Sequence, residues 1–196
     1  MDNTRYRRWR KVKLDSYPAG VEKLCVDIDG LHRVSESERA AIIDTVRQFN
    51  MCIYRCQDLA ADRTAVRDFA SVFGLHRPDM HLCANDDGVS ELSVAASGVR
   101  HDYVPYSNRG LSWHTDGYYN EPSRQVRSVV LHCAVAAASG GENALLDPDI
   151  AYIRLRDEDP RFIEALEHPE CMTIPANRGA EGEIRPEVTG PVFSYE

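Results

Sequence analysis

Apolar residues recur at helical spacing in several stretches of the chain, and polar caps bound most of them. Ser35-Glu36-Ser37-Glu38 reads as a capping box, with Ala40, Ala41, Ile43, Val46 and Phe49 following at helical intervals. This pattern predicts a helix from about Glu36 to Phe49, ended by Asn50, and then a strand over Met51 to Tyr54. Val66, Phe69, Ala70 and Phe73 form the apolar stripe of a second predicted helix, from about Asp62 to Phe73, and Gly74 supplies its stop. Asp147-Pro148 is an N-cap with proline in the first turn, and opens a helix through about Arg156. Asp159-Pro160 repeats that signature for a short helix to about Glu167. Strand-like runs follow at Glu91 to Ala95, Ser128 to Val135, Ala144 to Leu146, Met172 to Ile174 and Val192 to Tyr195. Turn residues dominate from Asn85 to Gly88 and from Tyr103 to Gly110, which reads as loop. Helices come early and strands late, without regular βαβ alternation. The expected class is α+β, or a mainly β core with helical decoration.

Composition narrows the setting. At 196 residues, one domain is the expectation, and 43% hydrophobic content supplies a core. No apolar run approaches the roughly 20 residues that span a bilayer. No apolar segment follows the first residues as a signal peptide would require, so the expected compartment is the cytoplasm and the six scattered cysteines are expected as thiols. Net charge is −8, yet Arg5, Arg7, Arg8, Arg10, Lys11 and Lys13 crowd into one short basic segment within residues 1–20. The remaining body is more acidic still, which argues against nucleic acid as a partner. Two readings of the basic segment stand. It either packs Tyr6, Trp9 and Val12 onto the domain, or it is an arm for an acidic partner.

The chemistry concentrates in Leu111-Ser112-Trp113-His114-Thr115-Asp116-Gly117-Tyr118-Tyr119. On a strand, His114 and Asp116 would share one face. Imidazole and carboxylate together are two of the three ligands of a non-haem iron facial triad. The same spacing also suits a plain hydrogen-bonded surface pair, and spacing alone does not choose between them.

The order of the flanking segments is more specific. After Trp113-His114-Thr115-Asp116 come the strand-like run, Ser139-Gly140-Gly141-Glu142-Asn143, and then Ala144 to Asp147 opening a helix. Upstream lie a helix–strand unit ending Met51-Cys52-Ile53-Tyr54-Arg55 and a helix closing on Phe73-Gly74. This ordered set resembles the TauD/TfdA family of Fe(II)/2-oxoglutarate-dependent dioxygenases over most of the chain. The resemblance implies a double-stranded β-helix (jelly-roll) core with N-terminal helices over residues 21–196, behind a basic segment at residues 1–20. It implies His114 and Asp116 as ligands of Fe(II), with 2-oxoglutarate as co-substrate and molecular oxygen as oxidant. Asn143 falls where the family has a threonine that helps hold the 2-oxoglutarate carboxylate. Trp113, Tyr118 and Tyr119 would line the pocket of a small organic substrate, and His76 and His81 lie where some members contact theirs.

The family's third ligand, a late histidine, and the arginine that follows it have no match here. His132 precedes the Gly-Gly turn, and His168 closes a short helix. The expectation is therefore a domain lacking its last strands. The expected activity is hydroxylation or oxidative cleavage of a small molecule, coupled to decarboxylation of 2-oxoglutarate to succinate. The alternative is a catalytically inactive or partner-completed binding module of the same fold. A different metal hydrolase ranks last, because no HExxH-type motif accompanies the pair. Assembly into a homo-oligomer is left open.

Overall fold

The computed structural model describes residues 1–56, 62–79, 87–94, 104–179 and 182–195. The architecture is mixed helix and sheet with few strands. It comprises α1 (Asn3–Ser16), β1 (Cys25–Ile28), α2 (Glu36–Phe49), β2 (Ile53–Cys56), α3 (Arg63–Val72), α4 (Pro148–Glu158), α5 (Pro160–Leu166), β3 (Met172–Ile174), β4 (Asn177–Gly179), β5 (Gly182–Arg185) and β6 (Val188–Gly190). Among the described residues the strands form three two-stranded sheets: β1 with β2, β3 with β6, and β4 with β5. The chain divides into two compact units. The first holds Met1–Phe73, Cys133–Thr173 and Thr189–Glu196; the second holds Gly74–His132 and Ile174–Val188.

In the first unit, local capping sets the helices. Ser35 and Glu38 exchange hydrogen bonds as a full capping box on α2, and Asn50 closes that helix in the left-handed conformation (φ 59°). Asp62, Asp147 and Asp159 cap α3, α4 and α5 through their carboxylates. The buried stripe of α2 differs from the expected one. Ile42 and Phe49 are buried, whereas Val46 is exposed. Ile42 and Phe49 lie two helical turns apart on one face, and that face turns inward. On α3, Ala65 and Phe69 are buried, and the Phe69 ring packs 4.6 Å from Tyr54 and 5.1 Å from Phe73. Strands β1 and β2 run parallel with Cys25 opposite Ile53, and Arg55 reaches across to Asp27 at 2.8 Å.

The basic segment folds as α1 and joins this unit. Tyr6 is buried with Tyr152, Ile153 and Ile163, while Trp9, Leu14 and Phe193 pack around them. Val12 faces solvent, contrary to the expected packing. Arg10 donates to both oxygens of Asp157 at 2.9 and 2.8 Å, and the Tyr6 hydroxyl donates to the same carboxylate at 2.7 Å. Lys13 goes deepest, at 6% exposure. Its ammonium sits 2.7 Å from Asp147, 2.9 Å from Asp149 and 3.0 Å from the Gln48 carbonyl. Burial opposes its charge, but the two carboxylates outweigh that cost and hold Lys13 above the usual lysine range. Asn50 donates to both of the same aspartates at 2.9 Å. One buried cation thus ties α1, the end of α2 and the start of α4 together.

Several expected strands are absent. Ser128 to Val135, Ala144 to Leu146 and Val192 to Tyr195 form none, and neither do residues 91–94 of the Glu91 to Ala95 run; Ala95 lies outside the described residues. Val129, Leu131, Val135, Leu145 and Leu146 face solvent instead. A strand needs a neighbour for its ladder, and among the described residues none pairs with these runs. Met172–Ile174 does form, because β6 pairs with it. No helix of the described residues is long and apolar enough to cross a membrane.

Two outcomes follow from α1. Lys13→Met leaves Asp147, which is fully buried, without its counter-charge, and should cost about 3–5 kcal/mol in urea unfolding. A loss under about 1 kcal/mol would contradict the clamp. Asp157, held below the usual carboxylate range chiefly by Arg10, with Tyr6 adding to it and burial opposing, gives the second. A depressed folded value means that its contribution is complete above the unfolded value of about 3.9 and disappears as pH falls through the folded value. Unfolding midpoints should therefore drop less steeply for Asp157→Asn than for the wild type between about pH 5 and pH 2. Parallel curves would contradict this.

Candidate metal and substrate site

His114 and Asp116 lie in the second unit on irregular backbone that enters a turn, not on a strand. The expected strand face is replaced by a tighter device. Gly117 is buried with φ +65°, and its carbonyl accepts from the Asn120 amide at 2.8 Å. A Cβ at Gly117 would press into the Val126 side chain and stand 3.0 Å from the Asn120 amide nitrogen. Only glycine suits that conformation in that space. The turn carries Asp116 back toward His114, so that Nε2 lies 3.5 Å from the carboxylate Oδ1. Both side chains remain solvent-accessible, at 41% and 55%.

The imidazole is oriented from its other side. His114 Nδ1 lies 2.8 Å from the Ser112 carbonyl oxygen. A carbonyl only accepts, so Nδ1 carries a proton, and Nε2 is the ring nitrogen turned toward the Asp116 carboxylate. This is the arrangement in which metal-binding histidines are held, with the second ring nitrogen donating to a backbone carbonyl. A nitrogen and a carboxylate oxygen, adjacent and accessible, suit a divalent first-row ion such as Fe(II). Among the described residues no group of three histidine, cysteine, aspartate or glutamate side chains gathers to complete a metal site.

The aromatic residues of the segment separate. Trp113 is 70% exposed, and Tyr118 is also exposed. Tyr119 is half-buried and meets the Tyr118 ring edge-on at 5.2 Å. Burial raises its pKa, the Asp79, Asp116 and Tyr118 charges add to that, and Arg185 opposes. Tyr119 therefore stays a neutral phenol able to donate. Asn143 belongs to the first unit, where its amide donates to the Gly141 carbonyl at 3.3 Å on the Gly140-Gly141 turn, and both glycines have positive φ. His76 is exposed; His81 lies outside the described residues.

Sequence reading missed two features of this unit. Asn120 and Arg124 converge on the half-buried Asp79, at 3.3 and 3.6 Å. Arg185, at the end of β5, places its guanidinium 5.2 Å from the centre of the Tyr119 ring. The Asn-x-x-x-Arg spacing offers a faint hint of the first, whereas no sequence signal links Arg185 to Tyr119.

An imidazole and a carboxylate placed this way have the chemistry to serve as two donors of a mononuclear metal centre. Comparison with known proteins makes the class specific: residues 13–196 match the sequence model of the taurine catabolism dioxygenase TauD, TfdA family, and the chain belongs to it. A uridine-5'-phosphate dioxygenase from Streptomyces sp is 30% identical over 133 residues, 66% of this chain and 47% of that protein. A uridine-5'-phosphate dioxygenase from Amycolatopsis sp is 32% identical over 87 residues, 44% of this chain and 30% of that protein. The matched part of the chain thus spans about half the length of the first relative and under a third of the second. No solved structure matches the chain.

The turn gives a direct test. Gly117→Ala combines a positive φ with a clash against Val126, and should cost about 1–3 kcal/mol. It should also weaken divalent-metal binding by displacing Asp116. Unchanged unfolding and unchanged metal titration would show that the turn does not set the pair.

Proposed function

We propose that this chain carries the iron site of an Fe(II)/2-oxoglutarate-dependent dioxygenase. The enzyme decarboxylates 2-oxoglutarate to succinate and hydroxylates or oxidatively cleaves a small organic substrate. The observation that carries this reading is the His114–Asp116 pair, with the imidazole oriented by the Ser112 carbonyl and Nε2 beside the carboxylate. When bound, Fe(II) supplies the redox chemistry that activates oxygen and the template that orders the reactants. His114 and Asp116 hold the ion. Asn143, through its second amide N–H, can donate to a carboxylate of 2-oxoglutarate, as the family's threonine does. Trp113, Tyr118 and Tyr119 contribute aromatic surface against which a planar substrate can lie. Tyr119 adds a phenol proton at that surface.

The family implies a jelly-roll core, and the exposed apolar runs at Val129–Leu131 and Leu145–Leu146 are the positions where its further strand pairing would fall. The related uridine-5'-phosphate dioxygenases point to a nucleoside monophosphate as substrate class. A soluble, cytoplasmic enzyme fits the same reading.

The test uses the full-length protein with Fe(II), ascorbate, 2-oxoglutarate and uridine-5'-phosphate, with succinate as the readout. His114→Ala and Asp116→Ala should each lower Fe(II)-dependent succinate formation by more than about 100-fold, since even outer partners of metal ligands are worth 10–100-fold. Equal turnover by His114→Ala would sink the proposal and leave a binding module as the better account.

A further inference from the structure

Several arginines among the described residues hold a carboxylate. Arg10 holds Asp157, Arg55 holds Asp27 and Glu22, and Arg161 holds Asp159. Arg185 does not. It is half-buried, and among the described residues no carboxylate lies within ion-pair distance of it. Its guanidinium is nevertheless held in place. One terminal nitrogen donates to the Pro175 carbonyl at 2.9 Å and the other to the Pro186 carbonyl at 3.1 Å. The residue before a proline is confined to extended backbone, which fixes Arg185 at the end of β5. The flat group then lies 5.2 Å from the Tyr119 ring centre, a cation–π distance.

A half-buried cation without a counter-charge carries an uncompensated desolvation cost unless an anion joins it. Guanidinium has five N–H donors in a rigid fork, and the two backbone carbonyls use only two of them. What remains suits a phosphate, which accepts parallel hydrogen bonds from arginine. The location matters as much. Tyr119 is the third residue after Asp116, and the Arg185 guanidinium stands over its ring. The nearby Asp79, which would repel an anion, already faces Arg124 and Asn120. An anion on Arg185 would therefore lie beside Tyr119, three residues after Asp116 in the same unit.

We propose that Arg185, seated over Tyr119 and held by the Pro175 and Pro186 carbonyls, binds the phosphate of the substrate and so sets the specificity of this site for phosphorylated molecules. The proposal rests on the dioxygenase reading, and deepens it by naming the residue that recognises substrate charge. Neither the donor pair nor Asn143 can take this role, because the first is committed to metal and the second is uncharged.

The test is calorimetric binding to the full-length, Fe(II)- and 2-oxoglutarate-loaded protein without oxygen. The probes are uridine-5'-phosphate and uridine. The wild type should bind the phosphate ester at least tenfold more tightly than the nucleoside. Arg185→Gln should bring that ratio close to one while uridine affinity is unchanged, which also shows that the variant is folded. Arg185→Lys, which keeps the charge and loses the fork, should retain part of the preference, and decides the matter if the glutamine variant does not fold. A wild-type ratio in Arg185→Gln, no phosphate preference in the wild type, or a loss that falls on 2-oxoglutarate affinity instead would each overturn the assignment. A protein that discriminates phosphate through Arg185 yet never forms succinate would refute the dioxygenase reading and leave this one standing.

Discussion

The Lys13 ammonium sits among Asp147, Asp149 and the Gln48 carbonyl, and much of the first unit hangs on it. Removing an ammonium and a carboxylate from water costs several kcal/mol for each, which good geometry and full hydrogen bonding must recover. Lys13 has three N–H donors and three acceptors within reach. Asp147 meets the ammonium with one oxygen and uses the other to cap α4 and to accept from Asn50. Asn50 in turn holds the left-handed end of α2. A single charge therefore fixes where three helices meet, and α4 starts just after the Gly140-Gly141 turn that carries Asn143. Arg10 and Tyr6, converging on Asp157 two turns further along α4, keep α1 aligned at its other end.

The second unit relies on a different constraint. A buried glycine in a positive-φ turn brings Asp116 beside His114, and a backbone carbonyl accepts from the imidazole Nδ1. Neither requires a strand. The carbonyl orients the ring and the turn region brings the carboxylate near, so the pair forms without a strand face. Arg185 then brings positive charge to Tyr119, so the His114–Asp116 pair, aromatic surface and cation lie in one unit.

The helices were legible because their signals are local. Ser35-x-x-Glu38, Asp147-Pro148 and Asp159-Pro160 announce their own starts, and the observed α2, α4 and α5 begin where these motifs place them. The strands were not, because a strand is defined by its partner. Ser128 to Val135 has the composition of a strand and no ladder among the described residues. Met172–Ile174 has a weaker pattern and forms, because Val188–Gly190 lies beside it. His-x-Asp was readable as two side chains that lie close together, but through a glycine turn and not through strand alternation. The fate of the basic segment was readable only in outline. Tyr6 does pack, yet nothing local shows that Lys13 would be buried against an aspartate near the far end of the chain. Arg185 over Tyr119 was invisible for the same reason.

The central claim is that His114 and Asp116 together hold an iron ion that also takes 2-oxoglutarate. Visible absorption of the full-length protein under nitrogen tests it most directly, because chelation of Fe(II) by an α-keto acid produces a charge-transfer band. Adding Fe(II) and then 2-oxoglutarate should produce a band that requires both and is absent from Asp116→Ala. An unchanged spectrum in the wild type, or the same band in Asp116→Ala, would contradict the account.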